Sequence, residues 1–111
     1  IMAELKYLPI TKSKTKMDRF IIELDENNYI FEVYWNPIEE YFAFNMYDID
    51  ENPIILGRKI TYKINMLDNI IDERVPGVEI IPVNPAVEDD HITYDKFMDS
   101  IKCYIFAAGD E

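Results

Sequence analysis

Asp48, Asp50 and Asn52 carry side-chain oxygens at alternate positions, the spacing with which a calcium-binding loop opens. Such a loop needs glycine at its sixth position for a sharp turn and a bidentate glutamate at its twelfth. Pro53 and Lys59 stand there instead, so the motif fails. Asp89, Asp90 and His91 offer a few oxygen and nitrogen ligands. His91 is the single histidine and Cys103 the single cysteine, so a closed metal site is not expected and an exposed acidic loop is. Cys103 can form no intramolecular disulfide. It alternates with Ile101 and Ile105, which reads as a small buried apolar residue and not as a nucleophile beside a basic partner. Gly57, Gly77 and Gly109 lie too far apart for a phosphate-binding loop. Carboxylates are plentiful, but no spacing pairs two of them as acid and base. No enzyme, no cofactor and no metal site is expected.

The charge is uneven. Twenty-two acidic residues against 11 basic ones leave a net charge of −11, which argues against nucleic-acid binding, since that relies on neutralising phosphates. Up to Arg19, however, five basic residues face two acidic ones. A positive arm on an acidic body suits self-association or attachment to an acidic neighbour, against the plainer reading of a solvated loop. The candidate assembly contacts are Lys12, Lys14, Lys16 and Arg19. Their acidic counterparts are Glu88, Asp89 and Asp90, which follow a strand that Pro82 marks as lying near a sheet edge.

The elements that must position these residues are strands. Arg19–Leu24, Tyr29–Trp35 and Tyr41–Asp48 are rich in β-branched and aromatic residues and alternate at period two, which reads as a β-meander. Phe20, Ile22 and Leu24 share one face with Tyr29, Phe31, Val33 and Trp35 and with Phe42, Phe44 and Met46. The opposite face is mixed, with Ile21, Glu23, Ile30, Glu32, Tyr34, Ala43, Asn45 and Tyr47, as in an antiparallel sheet with one wetter side. A four-residue turn is expected over Asp25–Asn28 and a second reversal from Asn36-Pro37.

Elsewhere, Leu5–Ile10 reads as a short first strand with Leu8 and Ile10 on one face. Ile54–Leu56 is a brief apolar run closed by Gly57, and Arg58–Met66 alternates again, with Ile60, Tyr62, Ile64 and Met66 together. Leu67–Val75 is helical or irregular. Val78–Val83 and Ile101–Ala107 read as strands, with one or two helical turns capped by Thr93 between them. The fold class expected is mainly β: a small antiparallel sandwich or partly open barrel built on a meander. At 111 residues this is one domain, 1–111; Ile1 precedes Met2, so residues 1–4 are set aside as a flexible or non-native start. No apolar run has the length of a membrane span and the start lacks a secretory signal pattern, so a soluble protein outside the usual export route is expected. Trp35 belongs to the apolar face, and removing it is expected to cost about 3–5 kcal/mol. The competing role for Trp35, Tyr34 and Tyr47 is a carbohydrate-binding patch, which would make the chain a small carbohydrate- or ligand-binding β-domain.

The order of these signals resembles the baseplate plug family of contractile-tailed bacteriophages and related tail-like particles. The resemblance rests on Leu8-Pro9-Ile10, Arg19–Leu24, Tyr29–Asn36 with its Trp35-Asn36 ending, and Tyr41–Asp48. It continues through Gly57-Arg58, Pro76–Val83, Thr93-Tyr94-Asp95 and the strand around Tyr104-Ile105, and so covers nearly the whole chain. It implies a small β-rich subunit of a phage or prophage tail baseplate, a virion structural protein made in the host cytoplasm, with no catalytic residues. Its implied partners are other tail or baseplate proteins and its own copies, without nucleic acid or membrane insertion.

Far-UV circular dichroism should accordingly be dominated by β structure; a helix content above about one third would be incompatible with the meander.

Overall fold

The alternation between Arg19 and Asp48 resolves into three antiparallel strands, and the flanking segments complete two sheets. The computed structural model describes residues 6–88 and 91–107. Its strands are β1 (Lys6–Tyr7), β2 (Asp18–Leu24), β3 (Asn27–Asn36), β4 (Tyr41–Asp48), β5 (Pro53–Lys59), β6 (Val78–Val83) and β7 (Lys102–Ala107). One sheet runs β2-β3-β4-β5 and the other β1-β7-β6, with antiparallel pairing throughout and no closure into a barrel. Among the described residues there is no helix, hence none long and apolar enough to cross a membrane. This is a small mainly-β, sandwich-like fold, as the alternation requires.

Parity decides the core. Phe20 pairs with Phe31, Ile22 with Tyr29, Phe31 with Met46, Val33 with Phe44 and Trp35 with Phe42, so the expected apolar face is continuous across β2, β3 and β4. It meets Leu8, Ile10, Ile80 and Cys103 from the three-stranded side in one buried cluster. Phe31 lies between Phe20 and Phe44, with ring centroids 5.8 and 6.0 Å away, and Phe97 from the 93–100 segment stacks on Phe42 at 4.2 Å.

Five local expectations need correction. The first reversal is tighter than Asp25–Asn28: Asp25 and Glu26 both have positive φ (53° and 70°), and Leu24 pairs directly with Asn27. A two-residue turn of that hand matches the twist of the strands it joins, so Asn27 and Asn28 extend β3. The first strand shrinks to Lys6–Tyr7, since Pro9 cannot donate to a ladder, although Leu8 and Ile10 are buried as expected and Leu8 N–H still reaches the Cys103 carbonyl. Leu5 lies outside the described residues. The run from Ile54 does not stop at Gly57; β5 continues to Lys59, with an irregular register against β4 that Gly57 accommodates at φ 63°. The Arg58–Met66 strand is not formed beyond Lys59. After a last bond from Ile60 N–H to the Phe42 carbonyl the chain leaves that sheet, and Lys63 and Met66 donate to the Pro82 and Ile80 carbonyls on the outer edge of β6. Ile60, Tyr62 and Met66 are buried along this path and Ile64 is exposed. Thr93 does cap a turn, its Oγ1 accepting from Lys96 N–H at 3.3 Å, but the segment stays in turns.

Phe31→Ala should lower the unfolding free energy by about 3–5 kcal/mol in urea titration, because the ring is wholly buried between two sheets. Ile71→Ala, at a fully exposed apolar position, should change it by less than about 0.5 kcal/mol.

Candidate assembly surface

The lysine-bearing segment is the loop between β1 and β2. Asp18 accepts from Thr11 N–H at 2.8 Å, and Ser13 Oγ accepts from the N–H groups of Thr15 and Lys16, which folds the loop on itself. Lys12 Nζ donates to the carbonyls of Tyr94 and Asp95 at 2.7 and 3.1 Å. The ammonium groups of Lys12 and Lys14 lie 4.7 and 4.9 Å from the centroid of the Tyr94 ring, which is itself stacked on Phe42 and met edge-on by Trp35. Each such cation–ring contact contributes about 0.5–1 kcal/mol at an exposed site. The arm is therefore fastened to an aromatic end of the sandwich, with Lys14 and Lys16 exposed to solvent. A cleft of about 580 Å³ lined by Lys14, Trp35, Glu40, His91 and Tyr94 opens beside it.

Arg19 is elsewhere. It projects from the outer face of the β2-β3-β4-β5 sheet, where the pairings Arg19–Glu32 and Glu32–Asn45 set three side chains in a row across the strands. Arg19 donates to Glu32 at 2.9 Å and to Glu51 at 3.0 Å, and Asn45 and Tyr47 donate to the other Glu32 oxygen at 3.0 and 2.9 Å. Burial acts to raise the Glu32 carboxyl, but these donors outweigh it and hold it below its ordinary value. Glu88 forms an ion pair with Lys63, and Asp89 and Asp90 lie outside the described residues. The structure thus brings Lys12 and Lys14 together over Tyr94 and sets Arg19 in a separate network. Nor do Trp35, Tyr34 and Tyr47 share a platform: Trp35 packs inward on Phe42 and Tyr94, whereas Tyr34 and Tyr47 stand on the outer face, since neighbouring strand positions point oppositely.

The residue that sequence reasoning missed is Arg74. Its guanidinium donates to Asp72, Asp48 and the Pro53 carbonyl at 2.7–3.0 Å, and its own carbonyl accepts from Tyr29 Oη at 2.5 Å. One side chain so ties the 60–77 segment to the β4–β5 turn. Asp48, Asp50 and Asn52, which imitate a calcium loop, are turn residues: Asp48 Oδ1 accepts from the N–H groups of Asp50 and Asn52 at 3.0 and 2.9 Å. Backbone donation from Asn52, with Arg74 adding to it, lowers the Asp48 carboxyl. The one available signal was an arginine two residues after Asp72. Among the described residues no group of acidic, histidine and cysteine side chains could hold a metal ion. Cys103 is wholly buried, and burial pushes its thiol far up, away from the thiolate.

A family model described as Cyanophage baseplate Pam3 plug gp18 matches residues 5–108. No curated protein matches the chain.

The Arg74 cluster generates a pH dependence. Its hydrogen bonds to Asp72 bring that carboxyl from 3.8 down to about 2, so the stabilisation is complete above the ordinary value and is lost as pH falls through the lowered one. Arg74→Met should lower the urea midpoint at about pH 5, and its deficit against the parent should shrink as the pH is taken towards about 2. A deficit constant over that range would show that Arg74 acts through packing alone.

Proposed function

The chain belongs to the Cyanophage baseplate Pam3 plug gp18 family, and from this membership we propose that it is a plug-like subunit that organises or closes a phage or prophage tail tip through protein–protein contacts. The match spans all seven strands, so the unit that carries the family likeness is the whole sandwich and not a grafted segment. The reading is non-enzymatic, with other tail or baseplate proteins and further copies as partners. Nucleic acid does not suit a chain of net charge −11, and no membrane insertion enters the reading.

Attachment is assigned to the arm at the Tyr94 end. An ordered loop that holds Lys14 and Lys16 in solvent beside the Trp35 cleft offers positive charge at a defined place on an acidic body, which steers and registers a partner more than it adds affinity. Lys12 contributes by fastening the loop, Arg19 stands as a separate candidate contact already paired with Glu32 and Glu51, and Glu88, Asp89 and Asp90 carry the complementary acidic charge for a neighbour. Lys14→Glu with Lys16→Glu should lower stability by no more than about 1 kcal/mol, since both side chains are exposed and the contact of Lys14 with the Tyr94 ring is the one interaction lost. The same pair should weaken co-purification with tail proteins and particle assembly, most at low salt where screening is least. Association unchanged across the salt range would remove the arm from the assembly surface.

A further inference from the structure

We propose that the free edge of β2 pairs antiparallel with the β2 edge of a second copy, about a two-fold axis at Ile21. The inference rests on the plug reading only in that the reading counts further copies of the chain among its partners.

Strand β2 ends its sheet, and the two-residue hairpin fixes which backbone groups face outward. The closing pair Leu24–Asn27 bonds across the hairpin, so by alternation Ile22, Phe20 and Asp18 also bond to β3. The N–H and C=O groups of Arg19, Ile21 and Glu23 therefore point away from the sheet. Among the described residues no backbone hydrogen bond reaches them from outside it. The other edges are guarded: the 60–67 segment bonds along β6, β1 has two residues, and β5 carries Pro53, Gly57 and an irregular register. Strand β2 has an unbroken register, no proline and no glycine, with Ile21 62% exposed.

Its side chains are complementary to themselves. With Ile21 opposite Ile21 of the second copy, Arg19 falls opposite Glu23 and Glu23 opposite Arg19, and each of these pairs exchanges two backbone hydrogen bonds. A slip of two residues in either direction loses the isoleucine pair and sets at least one charge against isoleucine, and parallel pairing brings like charges together. Arg19 is already ordered by Glu32 and Glu51, which reduces the side-chain freedom to be lost on association. On the inner side Phe20 comes opposite Ile22 of the second copy. Ile22 borders an open seam of about 490 Å³ between the two sheets, lined by the apolar Leu24, Val78 and Ile105 and by the charged Lys6, Glu23 and Asp25.

The test uses the full chain in solution, where the buried Cys103 does not compete as a thiol. Ile21→Cys should give a disulfide-linked dimer on mild oxidation, because Cα atoms of such a pair stand about 5.5 Å apart, within disulfide reach. Glu23→Cys should not cross-link to itself. Glu23→Arg, which sets arginine against arginine, should raise the dimer dissociation constant by about tenfold or more in sedimentation analysis. Self-linking by Glu23→Cys, or an Ile21→Cys chain that stays monomeric at its highest soluble concentration, overturns the proposal. If the tail proteins still co-purify in the latter case, the plug reading stands without it. Loss of a tail protein, and not of a dimer, on Glu23→Arg would show that a different chain takes this edge.

Discussion

Glu32 is a carboxylate on a strand buried on both faces, and the outer side of the larger sheet is arranged around satisfying it. From Tyr29 to Val33 every residue of β3 is buried, although only one face of the sheet meets the core. A charge withdrawn from water in this way costs several kcal/mol unless it is paired and hydrogen-bonded. Arg19, Asn45 and Tyr47 supply the donors, and they can do so only because the β2–β3 and β3–β4 registers set Arg19 and Asn45 directly beside Glu32. A slip of one residue would move those donors to the core face and every apolar partner to the outer face. Register and polar network therefore specify each other, and the network holds Arg19 near the edge of the sheet.

The smaller sheet depends on a different device. Three strands, one of them two residues long, present too little edge and too little apolar area to stand alone. The 60–77 segment completes it by crossing from β4 to the outer edge of β6, where Asn65 Oδ1 accepts from Ile80 N–H at 2.9 Å in place of a backbone carbonyl. Arg74 then anchors the far end of the segment to the β4–β5 turn, and Asp25 reaches across to accept from Gly77 N–H at 3.0 Å. The Asp25-Glu26 reversal, strained by positive φ at two non-glycine residues, is held in part by that bond. These contacts cover the β6 edge and leave the β2 edge open, and this asymmetry distinguishes a side of the plug fold suited to pairing from a side already closed.

Much of this was legible in the residues. The parity of Phe20, Phe31, Phe44 and Met46 foretold the core because a strand has only two faces and burial selects one. Pro82 foretold an edge because it lacks a donor. Arg58–Met66 misled because a segment lying along a sheet edge alternates between inside and outside much as a strand does, while its hydrogen bonds go to side chains and to scattered carbonyls. The candidate assembly residues were legible as charges and not as places: Lys12, Lys14 and Lys16 share a loop by sequence, but nothing in their spacing shows Tyr94, which is more than seventy residues away.

By itself, then, the sequence determined what depends on local periodicity: the meander, its buried face, its reversals, and the order of signals shared with the baseplate plug family. Tertiary structure alone decided what depends on residues distant along the chain coming within a few ångströms: the donors around Glu32, the Arg74 clamp, the seat of the lysines on Tyr94, and which sheet edge remains open. The division follows from the reach of the interactions. Side-chain alternation is a property of neighbouring residues, whereas a hydrogen bond or ion pair between strands exists only once the register has been set.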